Sequence, residues 1–127
     1  MDWKFIITTG EMFTPEGKLL VAGYAGGNLG KNPEGINNPA MCSIHDIGPL
    51  PMGIYTFGQL FNPHPRVGAY AFELLPDVGN DMYGRSGFFC HGDTKTPRCA
   101  SEGCIVLPRW AREAMYSSQI RTLIVTA

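Results

Sequence analysis

The sequence predicts a mainly β domain, a sandwich or open barrel of short strands with one helix in the C-terminal half. Three observations predict it. With 16 Gly and 10 Pro in 127 residues, the chain is interrupted too often for long helices. Between the breakers lie short aromatic and β-branched runs, as at 3–8 and 121–126. One late stretch, RWAREAMYSS at 109–118, has helical length, and Pro108 before it suits the first position of a helix.

Taken in order, Trp3 to Thr8 and Lys18 to Tyr24 flank the breaker cluster Thr14-Pro15-Glu16-Gly17, which predicts a hairpin with a third short strand at Glu11 to Phe13. Residues 26–41, GGNLGKNPEGINNPAM, keep no period and read as a long surface loop of the kind that often carries function. Strands follow at Ile54 to Leu60 and from Ala69, joined by the loop NPHPRVG. Arg85 to Cys90 reads as a short aromatic strand running into His91, and Ile105 to Leu107 as another. In the helix, Trp110, Ala114 and Met115 form a brief apolar face. Arg121 to Thr126 closes the chain as a β-branched strand. The count is six to eight strands in one domain spanning 1–127, without repeats or linkers.

Ten Lys plus Arg against eleven Asp plus Glu leave a formal charge of −1, so no global field draws the chain to nucleic acid or to an anionic membrane. The longest apolar runs fall well short of a membrane span or a signal-peptide core, and the sequence as written shows no Sec-type export signal. A monomer is the simplest expectation. Any partner is found through a local site.

Such a site is suggested by HGDTKTPRCASEGCIVLP, 91–108. A cysteine nucleophile needs a base within reach and donors for the oxyanion formed when it attacks a carbonyl. His91 ends one strand and Cys104 begins the next, so a hairpin-like return would set them side by side. In SEGC, Gly103 lets backbone amides approach a reacting carbonyl, and the amides of Gly103 and Cys104 are the oxyanion candidates. No helix starts at Cys104, so activation falls to His91, with Arg85, Lys95, Arg98 and Arg109 near in sequence. Zinc on His91, Cys99 and Cys104 is a weaker alternative, because the spacing lacks a close cysteine pair and a fourth ligand. Cys90 should point into the core. Cys99 could pair with Cys42 under oxidising conditions, or with Cys104, which would silence the thiol. His45 and His64 read as solvated loop histidines, and Trp3, Tyr24 and Tyr55 as core or hairpin residues.

The segments GRSGFFCHGD (84–93) and SEGCIVLP (101–108) resemble the HG…SxGC signature of L,D-transpeptidase (YkuD-like) catalytic domains, which act on bacterial peptidoglycan. TTG (8–10), GYAG (23–26), NNPAM (37–41) and GPLPMGIYTFG (48–58) are similar to a narrower group, the L,D-transpeptidase and L,D-carboxypeptidase toxins delivered by type VI secretion. The resemblance implies an L,D-transpeptidase-like fold, Cys104 as nucleophile, His91 as base, and Ser101 and Gly103 shaping the catalytic turn. It implies no cofactor or metal, and it places Tyr83, Arg85, Ser86, Asp93, Arg98 and Glu102 as candidates for holding substrate. Family histidines are oriented by a backbone carbonyl more often than by a carboxylate, so Asp93 need not form a triad. Two departures stand out: Glu102 occupies the place of a common histidine, and Val106 that of a common Arg or Asn, leaving carboxylate recognition to Arg85 or Arg98.

The activity implied is acyl transfer at peptidoglycan tetrapeptide stems, to water, a free D-amino acid or a second stem. The setting implied is a toxin made in the bacterial cytoplasm, passed through a secretion machine or carrier, and acting in the target-cell periplasm. A periplasmic immunity protein would guard kin cells. The rival readings are a wall-binding module without activity, which would have lost the nucleophile or base, and a housekeeping cell-wall enzyme with an export signal or anchor.

Overall fold

Alternating burial sets the strand faces. In the computed structural model, which describes residues 1–127, β1 (Trp3–Ile6) buries Trp3 and Phe5 and exposes Lys4. The remaining strands are β2 (Glu11–Phe13), β3 (Leu19–Ala22), β4 (Tyr24–Ala25), β5 (Gly53–Phe61), β6 (Ala71–Pro76), β7 (Phe89–His91), β8 (Ile105–Val106) and β9 (Thr122–Thr126). One helix, α1 (Arg109–Ser117), lies between β8 and β9. The nine strands make one sheet in the order β3-β2-β1-β9-β5-β6-β7-β8-β4. Pairing is antiparallel except at β1–β9 and β7–β8, which are parallel.

The two ends of that order, β3 and β4, are separated in the chain by Gly23 alone. The sheet therefore curls almost into a closed barrel, and its edges are brought close together. A Cβ at residue 23 would fall 2.1 Å from the Val106 carbonyl oxygen, so only glycine lets the chain pass so close to β8. The mainly β fold with one helix is as the sequence predicts. The strand count rises to nine because Gly23 divides the run expected at Lys18 to Tyr24.

A core of 19 buried residues fills the sheet's concave side, with Phe5, Ile7, Met12, Tyr55, Phe72, Leu74 and Leu123 fully buried. At about 25 cal/mol per Å² of apolar area, each such side chain contributes on the order of 2 kcal/mol.

Three local expectations are corrected. The strand expected from Arg85 begins only at Phe89, because Gly84 and Gly87 take φ of 72° and 78°, which an extended strand does not hold. On α1 the packed residues are Ala111 and Met115, one turn apart, with Arg112 beside them, whereas Trp110 and Ala114 face outward. The inward face is the one that carries Arg112, whose guanidinium donates to the carbonyls of Leu107, Ala69 and Tyr70, and Pro108 is the N-cap and not the first helical residue. Finally, β7 and β8 are joined by a crossover and not by a hairpin, since their parallel pairing requires the chain to return to its starting end. Residues 26–41 form the expected loop, tightened by 3-10 turns at Asn28–Gly30, Pro33–Gly35 and Pro39–Met41.

Candidate active site at the β7–β8 pair

Parallel pairing sets Cys90 beside Ile105 and His91 beside Val106. Cys90 and Ile105 are wholly buried in the core. Strand alternation sends their neighbours the other way, so His91 and Cys104 share one face and line a common cavity of about 470 Å³. The crossover thus achieves the juxtaposition that a hairpin was expected to give.

His91 is 3% exposed, and its Nδ1 lies 2.9 Å from the Gly92 carbonyl oxygen. A carbonyl only accepts, so Nδ1 carries the ring proton and Nε2 keeps its lone pair. Burial is the main cause that holds the imidazolium below its ordinary range; the Arg112 charge pushes the same way, against Gly92 and Asp93. At neutral pH His91 is a neutral imidazole with a free acceptor nitrogen.

The Cys104 sulfur accepts a hydrogen bond from the Phe89 amide at 3.3 Å. Burial nevertheless pushes the thiol up to about 11, more than the Phe89 amide and the Arg66 charge pull it down. The resting pair is therefore thiol and imidazole, without charge separation. That arrangement suits a histidine that removes the proton as attack proceeds.

The turn before Cys104 is held by Ser101, which is 1% exposed. Its Oγ accepts from the amides of Gly26 (2.8 Å) and Gly103 (3.0 Å) and donates to the Cys104 carbonyl (2.7 Å). The Gly103 amide is thereby engaged, which removes it from the expected oxyanion pair; the Cys104 amide has no other partner among the hydrogen bonds. Gly103 sits at φ 135°, and a Cβ there would come within 2.6 Å of Arg85 Nη2 and 2.7 Å of Phe88.

Arg85 does not present itself as expected. It is 5% exposed, with Nη1 donating to the Cys42 and Pro49 carbonyls and Nη2 to those of Gly48 and Glu102, all at 2.7–3.1 Å. Its guanidinium pins loop 42–50 to the Cys104 turn, leaving only Nε free for a ligand. Asp93 faces away from His91: it accepts from the Tyr24 hydroxyl at 2.7 Å and from the amides of Thr94 and Arg98, ordering the crossover loop. Arg98 and Asp93 line a different cavity, and Tyr83 lines neither. Ser86 and Glu102 do reach the Cys104 cavity.

The sequence reading missed part of this wall. His64, Arg66 and Val67 reach it from the β5–β6 loop, and His45 and Asp46 from the loop before β5. His64 accepts from the amides of Arg66 (3.0 Å) and Val67 (3.4 Å) through Nδ1. Its Nε2 is therefore the protonated nitrogen, and its ring packs 4.7 Å from that of Phe89. Arg66 Nη2 approaches Glu102 at 3.8 Å, bringing the exposed loop to the rim. A histidine between Pro63 and Pro65, followed at once by an arginine in a loop between two strands, was the available signal.

All four cysteines are free thiols, so neither suggested disulfide is formed, and no three metal-ligating side chains converge. No helix is long and apolar enough to cross a membrane.

Compared with known families, residues 27–126 match the model described as the Tlde1 domain. No curated protein and no solved structure matches the chain. The match starts just after β4 and ends within β9, taking in His91, the Ser101 turn and Cys104. With most of its length covered, the chain belongs to the Tlde1 domain family, a family of type VI secretion effectors.

Proposed function

We propose that this chain is a cysteine-dependent peptidoglycan-modifying enzyme that cleaves or exchanges the terminal D-alanine of tetrapeptide stems through a thioester. The observation that carries the reading is the Cys104 thiol and His91 facing one cavity, with the histidine's tautomer fixed by the Gly92 carbonyl. Membership of an effector family supports the setting we propose: delivery by a secretion machine, action in the target-cell periplasm, and an immunity protein in kin cells.

In the proposed reaction His91 Nε2 takes the Cys104 proton as sulfur attacks the carbonyl carbon of the L-centre of the third residue. The carbonyl's π electrons move to oxygen, and the Cys104 amide receives that oxyanion. When the tetrahedral adduct collapses, the carbon–nitrogen bond to D-alanine breaks and His91 returns its proton to the leaving amine. The thioester then passes its acyl group to water, a free D-amino acid or a second stem's amine, and Sγ recovers its proton. Ser101, Gly103 and Arg85 position the turn. Since Arg85 is engaged by main chain and Arg98 lies elsewhere, the stem carboxylates fall to Arg66, with Ser86 and Glu102 on the same wall. The whole span 1–127 acts as one catalytic domain, since β1–β4 belong to the sheet that carries His91 and Cys104.

The test is to incubate the protein with tetrapeptide muropeptides, with and without free D-amino acids, and to read the products by mass spectrometry. Loss or exchange of terminal D-alanine that disappears in both Cys104→Ala and His91→Gln supports the mechanism and identifies the acceptor. Unchanged muropeptides from folded, reduced protein would sink it.

A further inference from the structure

A second cavity, of about 560 Å³, shares no lining residue with the one at Cys104. It starts one residue further along the chain, since His91 lines the first cavity and Gly92 the second. Three arginines line it, Arg98, Arg109 and Arg112. Its sole acidic residue is Asp93, whose two oxygens already accept from the Tyr24 hydroxyl and the amides of Thr94 and Arg98. The lining therefore carries an excess of positive charge.

Arg112 is the informative member. It is 5% exposed, its Nε donates to the Leu107 carbonyl, and its Nη1 donates to those of Ala69 and Tyr70. Those three bonds fix the guanidinium plane, while Nη2 has no protein partner. Nη2 lies against Gly92, where a Cβ would stand 2.8 Å away, so the glycine keeps the approach clear. A buried, immobilised guanidinium with one open nitrogen is preorganised for an oxyanion, because little further ordering is needed when the ligand arrives.

The start of α1 adds to it. The N-cap is Pro108, which supplies no side-chain cap, and the amides of Arg109 and Trp110 have no acceptor among the hydrogen bonds. Pro108 and Arg109 both line the cavity, so the positive end of the helix dipole lies at its wall. Arg109 is partly engaged, with Nε 3.2 Å from Glu113, but it remains half exposed.

We infer that this cavity is an oxyanion-binding site for a carboxylate or phosphate group, formed by Arg112 Nη2, the first amides of α1 and the exposed charges of Arg98 and Arg109. It stands independently of the reading at Cys104, whose residues it does not use.

The experiment is a 1H–15N NMR titration of the whole chain at constant ionic strength, with inorganic phosphate in one arm and N-acetyl-D-alanine in the other, against a chloride control. Saturable shifts at the amides of Gly92, Arg109 and Trp110 are expected with at least one probe and not with chloride. A response to N-acetyl-D-alanine alone assigns a carboxylate ligand, and a response to phosphate alone assigns a phosphate. The double variant Arg98→Gln/Arg109→Gln, which alters exposed side chains, should weaken binding about tenfold or more, since it removes two charged donors. If it loses a dispersed spectrum, Arg98→Gln alone is judged by the same criterion. Absence of saturable shifts with both probes, or undiminished binding in the variant, overturns the inference.

Discussion

Alkylation of Cys104 tests the charge state on which the proposed mechanism depends. An ordinary cysteine titrates near 8.5, so at pH 7.5 roughly a tenth of it is thiolate. Burial pushes Cys104 to about 11, which cuts that population by roughly 300-fold. A more basic thiolate is also more nucleophilic. With a Brønsted slope of about 0.4–0.5 over ~2.5 units, this returns a factor of roughly 10–18. Iodoacetamide should therefore modify Cys104 roughly 15- to 30-fold more slowly than a free thiol at pH 7.5. The rate should climb without a plateau from pH 6 to 9. Because Cys99 is also accessible in part, the measurement needs peptide-resolved mass spectrometry. A plateau below pH 7, or a rate above that of glutathione, would refute the reasoning, since both require a preformed thiolate and imidazolium.

Three further outcomes follow from the same geometry. Ser101→Ala strips the amides of Gly26 and Gly103 of their acceptor and the Cys104 carbonyl of its donor; a loss of about 2–4 kcal/mol is expected in urea unfolding, and a change under 0.5 would deny Ser101 its holding role. Arg85→Met leaves four carbonyls without their donor and should cost about 3–5 kcal/mol, with lost activity following lost fold; an intact, inactive variant would instead return Arg85 to substrate binding. Burial depresses His91 below its unfolded value of about 6.5, so the unfolded chain binds the extra proton first as pH falls. The stability from keeping His91 neutral is thus complete above pH 6.5 and declines as pH drops through the lower folded value. Urea midpoints at pH 7.5, 6 and 5 should fall more steeply for the native chain than for His91→Gln, and equal slopes would contradict the assignment.

Much of the fold was legible because its signals are local. Breakers and β-branched runs marked most strands, and one uninterrupted stretch marked α1, since turn chemistry and strand propensity act over a few residues. Parallel pairing of β7 with β8 was not legible, because it depends on what a crossover of small and charged residues can reach across the sheet. The face of α1 was misread for a similar reason. A buried Arg112 that answers three carbonyls looks like a surface residue by type, and Trp110 looks like core. At the site, His91 and Cys104 could be singled out by residue type and spacing. The loop residues His64 and Arg66 could not, because they lie some 40 residues before Cys104 and meet it only where the β5–β6 loop folds against the same wall.

The placement of Cys104 depends less on its own strand than on the N-terminal part of the chain. β8 is two residues long, too short to fix a turn by its ladder alone. The register is instead imposed from outside: Ser101 is held by the Gly26 amide, the Ser101 carbonyl accepts from the Leu29 amide, and Tyr24 ties Asp93 to the Ala100 amide. Those partners lie on β4 and the loop that follows, which reach β8 only because Gly23 carries the chain from one end of the sheet to the other. Near-closure of the barrel and placement of the thiol are thus one structural event. A side chain at residue 23, some 80 residues before the cysteine, would displace the turn while leaving every residue that lines the Cys104 cavity unchanged in identity.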